Sequence, residues 1–261
     1  MKLLRSPIIS LCTITLAFVS FTSYPSQVRA QFDRPINNFF MQRSQMEKQK
    51  SSKSTAGRWG RPRPGRRIGG GSRGPSCSGT TRLTALMPIT NSGQTVAERP
   101  TFWFYVPYSS QQVSSGKFVL YEGEERNYLY EISFTLPRTP GLVSFSIPST
   151  KAPLEIGKEY VWFFKLDCEE EVEGWVERVK PTPKLEGDLK AATEPEYKVY
   201  TNNLIWYDAL DNLTKLRISQ PTNTKLTDEW INLLKLKGIE GSDLDPEKLK
   251  QPIAGSVVVQ E

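Results

Sequence analysis

The sequence predicts a mainly β protein, an antiparallel β-sandwich followed by a small helical cap. Three observations carry this. Residues 82–179 break into seven short runs of β-branched and aromatic residues separated by Pro, Gly and Asn, a spacing that suits a sandwich and not alternating strands and helices. Residues 206–216 and 226–234 repeat apolar side chains at one-face helical spacing. After residue 30, no stretch approaches the about 20 consecutive apolar residues that a membrane-spanning helix needs.

The chain opens with the three parts of a secretory signal peptide: a basic start at Lys2 and Arg5, an apolar run from Ile8 to Val19, and small residues at Val28 and Ala30. Residues 1–30 are read as that signal, with cleavage after Ala30 and an uncleaved anchor as the alternative. The protein is therefore expected to be exported to the periplasm or cell envelope, with secretion also open and no transmembrane anchor left after cleavage. Cys12 follows Leu11, where a lipoprotein cysteine calls for a small residue, so lipidation is not expected.

Residues 31–76 form a Gly-, Pro-, Ser- and Arg-rich arm holding eleven basic and two acidic residues. Its sparse apolar content cannot offset the entropy of ordering, so a disordered tether is expected. The body from 77 to 261 is acidic, with 20 basic and 26 acidic residues. A basic arm on an acidic body can hold an anionic polymer or lipid surface in a salt-dependent way, or fold back on the body itself. Nucleic acid is not expected as a partner of an exported chain. Gly69, Gly71 and Gly74 formally match a dinucleotide fingerprint, but no strand enters that turn and no helix leaves it, so the run is read as a linker.

The expected sandwich occupies residues 77–180. Its candidate strands are Arg82 to Met87, Thr101 to Val106, Lys117 to Tyr121, Tyr128 to Leu136, Leu142 to Ile147, Glu159 to Leu166 and Val172 to Val179. Leu154, Gly157 and Tyr160 form a Leu-x-x-Gly-x-x-Tyr pattern before an aromatic strand, which resembles the tyrosine corner of immunoglobulin-like and fibronectin-like sandwiches. Trp103 stands where such folds keep a core tryptophan. Once the signal is removed, Cys77 and Cys168 are an even pair in an oxidising space and are expected to form a disulfide, with two buried thiols as the alternative. The chain-entropy model assigns such a loop, about 90 residues long, a stabilisation of about 4 to 5 kcal/mol. Cys168 lies eight residues after Tyr160, so the bond is expected to clamp the domain's entrance to a strand end, without crossing the core.

Phe102 to Tyr105 and Tyr160 to Phe164 are aromatic on both faces of their strands. A half-buried sheet alternates apolar with polar, so something must cover the second face. The helices or the arm are one candidate cover. An exposed platform of Trp103, Tyr105 and Trp162 for a sugar or peptide is another, and an oligomer interface a third.

Residues 181–240 are read as the helical cap. Thr193-Glu194-Pro195-Glu196 matches a capping box. Trp206-Tyr207-Asp208-Ala209-Leu210, followed by Pro221 and Asn223, resembles the second helix of a tetratricopeptide repeat; a single unit of that kind must dock on something else. Residues 241–261 are expected to be a flexible tail.

Histidine is absent, which removes Ser-His-Asp and Cys-His catalysis and the commonest zinc ligand together. Acidic residues gather at Glu122, Glu124 and Glu125 and at Asp167, Glu169, Glu170 and Glu171, where turns are expected and charge is usually solvated. The second group lacks the order of a calcium loop. No catalytic residue, metal or cofactor is assigned.

Segments from Pro64 to Pro75, Leu83 to Pro88, Pro100 to Pro107, Gly141 to Phe145, Gly174 to Val179 and Ile205 to Leu210 together resemble the cyanobacterial domain of unknown function 928 family over residues 64–237. The resemblance implies an envelope home and supplies no catalytic residues. The expected function is a non-enzymatic interaction module of the cell envelope that binds a protein partner through the sandwich and cap. The alternative is a carbohydrate or peptidoglycan binding module using the sheet aromatics, and an enzyme built on paired carboxylates comes third.

Overall fold

The computed structural model describes residues 59–70, 77, 80–237, 249–250 and 253–260. The expected signal peptide, the arm up to residue 58 and residues 241–248 of the expected tail lie outside them.

Among the described residues ten strands form two sheets. β1 (Thr84–Ala85), β3 (Thr101–Val106), β6 (Gly141–Ser146) and β9 (Ile253–Ser256) make a four-stranded sheet in the order β1-β3-β6-β9. The other six strands are β2 (Ser92–Thr95), β4 (Ser115–Glu122), β5 (Asn127–Thr135), β7 (Glu159–Leu166), β8 (Glu171–Arg178) and β10 (Val258–Val259), in the order β10-β5-β4-β7-β8-β2. Every run read as a strand from the sequence overlaps one of these, and Thr101–Val106 and Glu159–Leu166 match to the residue, whereas of Arg82 to Met87 only Thr84–Ala85 is strand. The pairing is not wholly antiparallel as expected: β2 runs parallel to β8, and β9 parallel to β6. Both are short edge strands recruited from outside the central meander.

The core lies between the sheets and is largely aromatic. Phe104 stacks on Phe164 at 3.9 Å and Phe118 on Phe145 at 4.0 Å, with Phe102 and Trp162 at 5.3 Å beside them. Trp162 requires a glycine across the pair: a Cβ at Gly174 would stand 2.4 Å from the indole and 2.4 Å from the Met87 sulfur. Tyr160 is buried, and its hydroxyl accepts a hydrogen bond of 2.8 Å from the Glu155 amide, while Gly157 supplies the turn with φ +81°. The side chain of Leu-x-x-Gly-x-x-Tyr thus ties its own approach loop to the strand.

Four helices follow: α1 (Pro183–Ala191), α2 (Glu196–Asn202), α3 (Trp206–Ser219) and α4 (Thr224–Lys237). The capping box at Thr193 does not form. Helix α2 begins at Glu196 behind Pro195 with no side-chain cap, because a residue preceding proline is driven out of the helical region and Glu194 cannot open a helix. The effective signal is earlier, where Thr182 accepts from the Leu185 amide at 3.2 Å ahead of Pro183.

Helix α3 docks the cap. Trp206 donates its indole N–H to the Leu86 carbonyl at 3.1 Å, and the Tyr207 hydroxyl accepts from Trp162 at 3.1 Å while donating to the Trp175 carbonyl at 2.9 Å. Thr95 donates its hydroxyl to Asp208 at 2.7 Å. Three successive side chains of one helical turn therefore satisfy polar groups at the open edge of the sandwich.

Two expectations about the termini are corrected. The arm was placed outside the body up to residue 76, yet residues 59–70 pack on it. Trp59 is buried edge-on against Trp206 at 5.1 Å, Arg66 pairs antiparallel with Glu173 of β8, and Ile68 pairs with Thr84 of β1. This strap joins one sheet to the other along one edge. The tail was expected to be flexible, yet β9 and β10 are one extended segment that leaves the four-stranded sheet and enters the six-stranded one at the opposite edge. Gly255, at φ +127°, sits within β9 at an irregularity in its pairing with β6, where the extra residue Ala254 is accommodated. Both corrections have the same cause, since an open sheet edge presents backbone donors and acceptors that a segment from either end of the chain can satisfy.

Cys77 and Cys168 form a disulfide with Cα atoms 5.8 Å apart, fixing the chain just after the strap to the β7–β8 turn. Reducing it should cost about 2–5 kcal/mol, read as a lower thermal midpoint in reductant. Trp59→Ala should destabilise the oxidised protein by about 3 kcal/mol in urea unfolding. An unchanged midpoint would show that the strap does not belong to the cooperative unit.

Candidate binding surfaces

The three aromatics expected as a binding platform do not form one. Trp103, Tyr105 and Trp162 are 5%, 4% and 1% exposed. Trp162 points into the inter-sheet core, and the Trp103 indole N–H is taken by Asp211 of α3 at 3.2 Å. The expectation fails because the cap, docked through α3, covers the outer face of β3. On the outer face of the six-stranded sheet a second cluster joins Val119, Val161, Phe163 and Trp175, with Tyr121 beside it. Its more open members are not coplanar, since Tyr121 meets Tyr128 at 73° and Phe163 at 80°.

The strap covers the Trp175 end of that cluster. Arg63 lies over the Trp175 ring at 4.6 Å and is held by Glu124 and by Glu159, which receives its Nε at 3.2 Å. Burial alone would lower the Arg63 pKa, but its hydrogen bonds to the two carboxylates more than reverse this and the net shift is upward. The Trp175 indole N–H donates to the Pro64 carbonyl at 2.8 Å. Asn91 donates to the Arg63 and Gly65 carbonyls at 3.2 and 3.4 Å, and the Arg63 amide donates to the Thr90 carbonyl at 2.8 Å. Sequence reasoning missed these contacts, reading Glu124 as a solvated turn charge and Arg63 as part of a free arm, because their proximity depends on residues about 60 to 110 positions apart.

A second surface is a groove between α2 and α4 floored by α3. Tyr197, Leu213 and Leu233 supply its apolar lining, and Glu194, Lys198 and Glu229 its charged rim. Its volume is about 250 Å³. Lys198 bridges to Glu229 at 3.4 Å across the mouth. A space of this size, below the roughly 300–1,000 Å³ of drug-sized ligand sites, suits one or two side chains of a docked polypeptide.

One buried and one half-buried carboxyl serve the architecture. Glu170, beside the disulfide, is fully buried, bonded to the Tyr108 hydroxyl and 3.8 Å from Arg82; burial raises its pKa against the opposing effect of these partners. Asp208 is raised to about 6, chiefly by burial, with its bonds to Thr95 and the Val96 amide opposing the shift. They lie on different elements with different partners and do not converge on a cleft. Among the described residues no group of His, Cys, Asp or Glu side chains is placed to hold a metal ion, and no helix is long and apolar enough to cross a membrane.

The family profile described as Domain of Unknown Function (DUF928) matches residues 68–248. The chain belongs to the DUF928 family. That match takes in both sheets' central strands, the disulfide cysteines and the four helices found among the described residues of this DUF928 protein, and starts at Ile68 within the strap. No curated protein and no solved structure matches it.

Because the folded-state pKa of Asp208 lies above the ordinary 3.8, its contribution to stability is complete below about pH 4 and is lost as pH rises through about 6. The full shift corresponds to about 3 kcal/mol. Asp208→Asn should therefore flatten the fall in stability between pH 4.5 and 7.5, measured by chemical unfolding at each pH; a profile as steep as the parent's would assign that fall to another group.

Proposed function

We propose that this protein is an exported, non-enzymatic interaction module of a cyanobacterial cell envelope, which holds a protein partner through its sandwich and helical cap. The observation that carries the reading is the groove between α2 and α4, an apolar floor with an ion-paired rim set on helices rigidly docked by α3. Family membership supports it only as far as the DUF928 match extends. The Tyr160 hydroxyl bond to the Glu155 amide favours an immunoglobulin- or fibronectin-like type for the sandwich, and the α3–α4 pair a single tetratricopeptide-like unit for the cap. Folds of these kinds host many activities, so the assignment rests on the surface and not on the fold.

The absence of histidine from the whole sequence supports a non-enzymatic role. Export rests on residues 1–30, and the basic residues upstream of Trp59 add an attraction to anionic polymer or lipid that weakens with salt. A carbohydrate or peptidoglycan role draws no support from Trp103, Tyr105 and Trp162, which are buried.

Lys198→Glu places two like charges across the groove mouth without touching the core. The mature protein immobilised on a resin should retain a specific envelope protein that the Lys198→Glu variant loses, with the thermal midpoint within about a degree of the parent. Equal retention by both proteins, or binding on a sugar array in place of any protein, would overturn the reading.

A further inference from the structure

The strap is held in the manner of a bound ligand. Most contacts between neighbouring segments of a fold are apolar and tolerant of side-chain identity. Here Arg63 is enclosed, with its side chain 5% exposed, between two carboxylates and the face of an indole. The carbonyls of Arg63, Pro64 and Gly65 are each met by a side-chain donor, from Asn91, Trp175 and Asn91 respectively. The neighbouring positions are proline at 62 and 64, which have no N–H to satisfy and keep the backbone extended before it docks. Arg61, Pro62 and Pro64 remain exposed, so the segment lies on the surface and is not threaded through it.

We propose that the outer face of the six-stranded sheet is a recognition site for an extended Arg-Pro-Gly segment, occupied here by the chain's own Arg63 to Gly65 and open to the same element of a partner polypeptide. Each position has a reason. Two carboxylates on either side of a planar cation stacked on an indole match a guanidinium, whose fork of donors serves both acids, better than an ammonium. An indole N–H aimed at a carbonyl beside a proline is a recurring way to read a pre-extended Pro-rich chain. At the third position a Cβ would stand 3.0 Å from the Glu173 carbonyl oxygen and 3.1 Å from the Asn91 Cβ, so glycine is favoured. The strap is anchored on both sides of this stretch, by Trp59 against Trp206 and by Ile68 against β1, so residues 61–65 can leave while the edges stay sutured. The proposal rests on reading the chain as an interaction module but uses a face separate from the helical groove, so the two can fail independently.

The probe is a labelled peptide, Arg-Pro-Arg-Pro-Gly-Arg-Arg, corresponding to residues 61–67. It is titrated by fluorescence anisotropy into the oxidised full-length mature protein and into a variant whose residues 61–65 are replaced by a Gly-Ser stretch of equal length. The replaced variant should bind it saturably and at least tenfold more tightly than the parent, whose site is filled. Adding Glu159→Gln to that variant, or placing lysine at the third position of the peptide, should each weaken binding tenfold or more. Arg63→Ala in the intact strap provides the same titration should the replaced variant unfold, and should also bind more tightly than the parent. Absence of saturable binding to a folded variant, or affinity indifferent to both Glu159→Gln and the lysine peptide, would overturn the proposal, the latter by reducing it to unspecific charge attraction.

Discussion

Two facing sheets leave edges of unpaired backbone donors and acceptors, and the closure of those edges by segments from the two ends of the chain is the constraint on which this molecule depends. On one side residues 66–68 pair first with β8 and then with β1; on the other, residues 253–259 pair first with β6 and then with β5. The first of these, in a strap rich in glycine, proline and arginine, is not a strand by composition. Each is fixed because the edge it meets offers hydrogen bonds that would otherwise go to water or to another chain. The disulfide between Cys77 and Cys168 adds a covalent tie close to the strap, on the same β7–β8 turn that carries buried Glu170.

The cap depends on a single helical turn. Trp206, Tyr207 and Asp208 reach Leu86, Trp162, Trp175 and Thr95, which belong to or adjoin both sheets. Tyr207 is both acceptor and donor in this relay, so a core indole and a β8 carbonyl are satisfied through one hydroxyl. Asp208 contributes at a cost, since its charge is carried into a half-buried position with neutral partners. With α3 held in this way, α2 and α4 can present a groove of fixed shape and the outer face of β3 is closed to solvent.

The strap also changes how the charge distribution acts. The basic arm and acidic body are not simply two regions of opposite sign, because Arg63 and Arg66 are the points where the arm enters the body's hydrogen-bonding scheme. Gly69, the next strap glycine, packs so closely on the Glu170 carboxyl that a Cβ there would lie 2.4 Å from its oxygen. Glycine, proline and arginine, which make the segment look unstructured in isolation, are the residue types its docked path requires.

Local pattern in the sequence determined the seven central strands, the Tyr160 turn and helices α3 and α4, because alternation, helical spacing and turn residues act over a few positions, and cysteine count alone pointed to the Cys77–Cys168 pair. Strands β2, β9 and β10 were less legible: Ser92 to Thr95 carries no apolar alternation, and only the β-branched run at Val257 to Val259 hinted at the last. The tertiary structure alone decided which aromatics face solvent, burying Tyr105 and, beneath the cap, Trp103, and whether Arg63 is a mobile charge or an enclosed one. Those outcomes depend on partners far away in the chain, Asp211 for Trp103 and Glu124, Glu159 and Trp175 for Arg63, whose proximity is set by sheet order and docking, which local spacing does not encode.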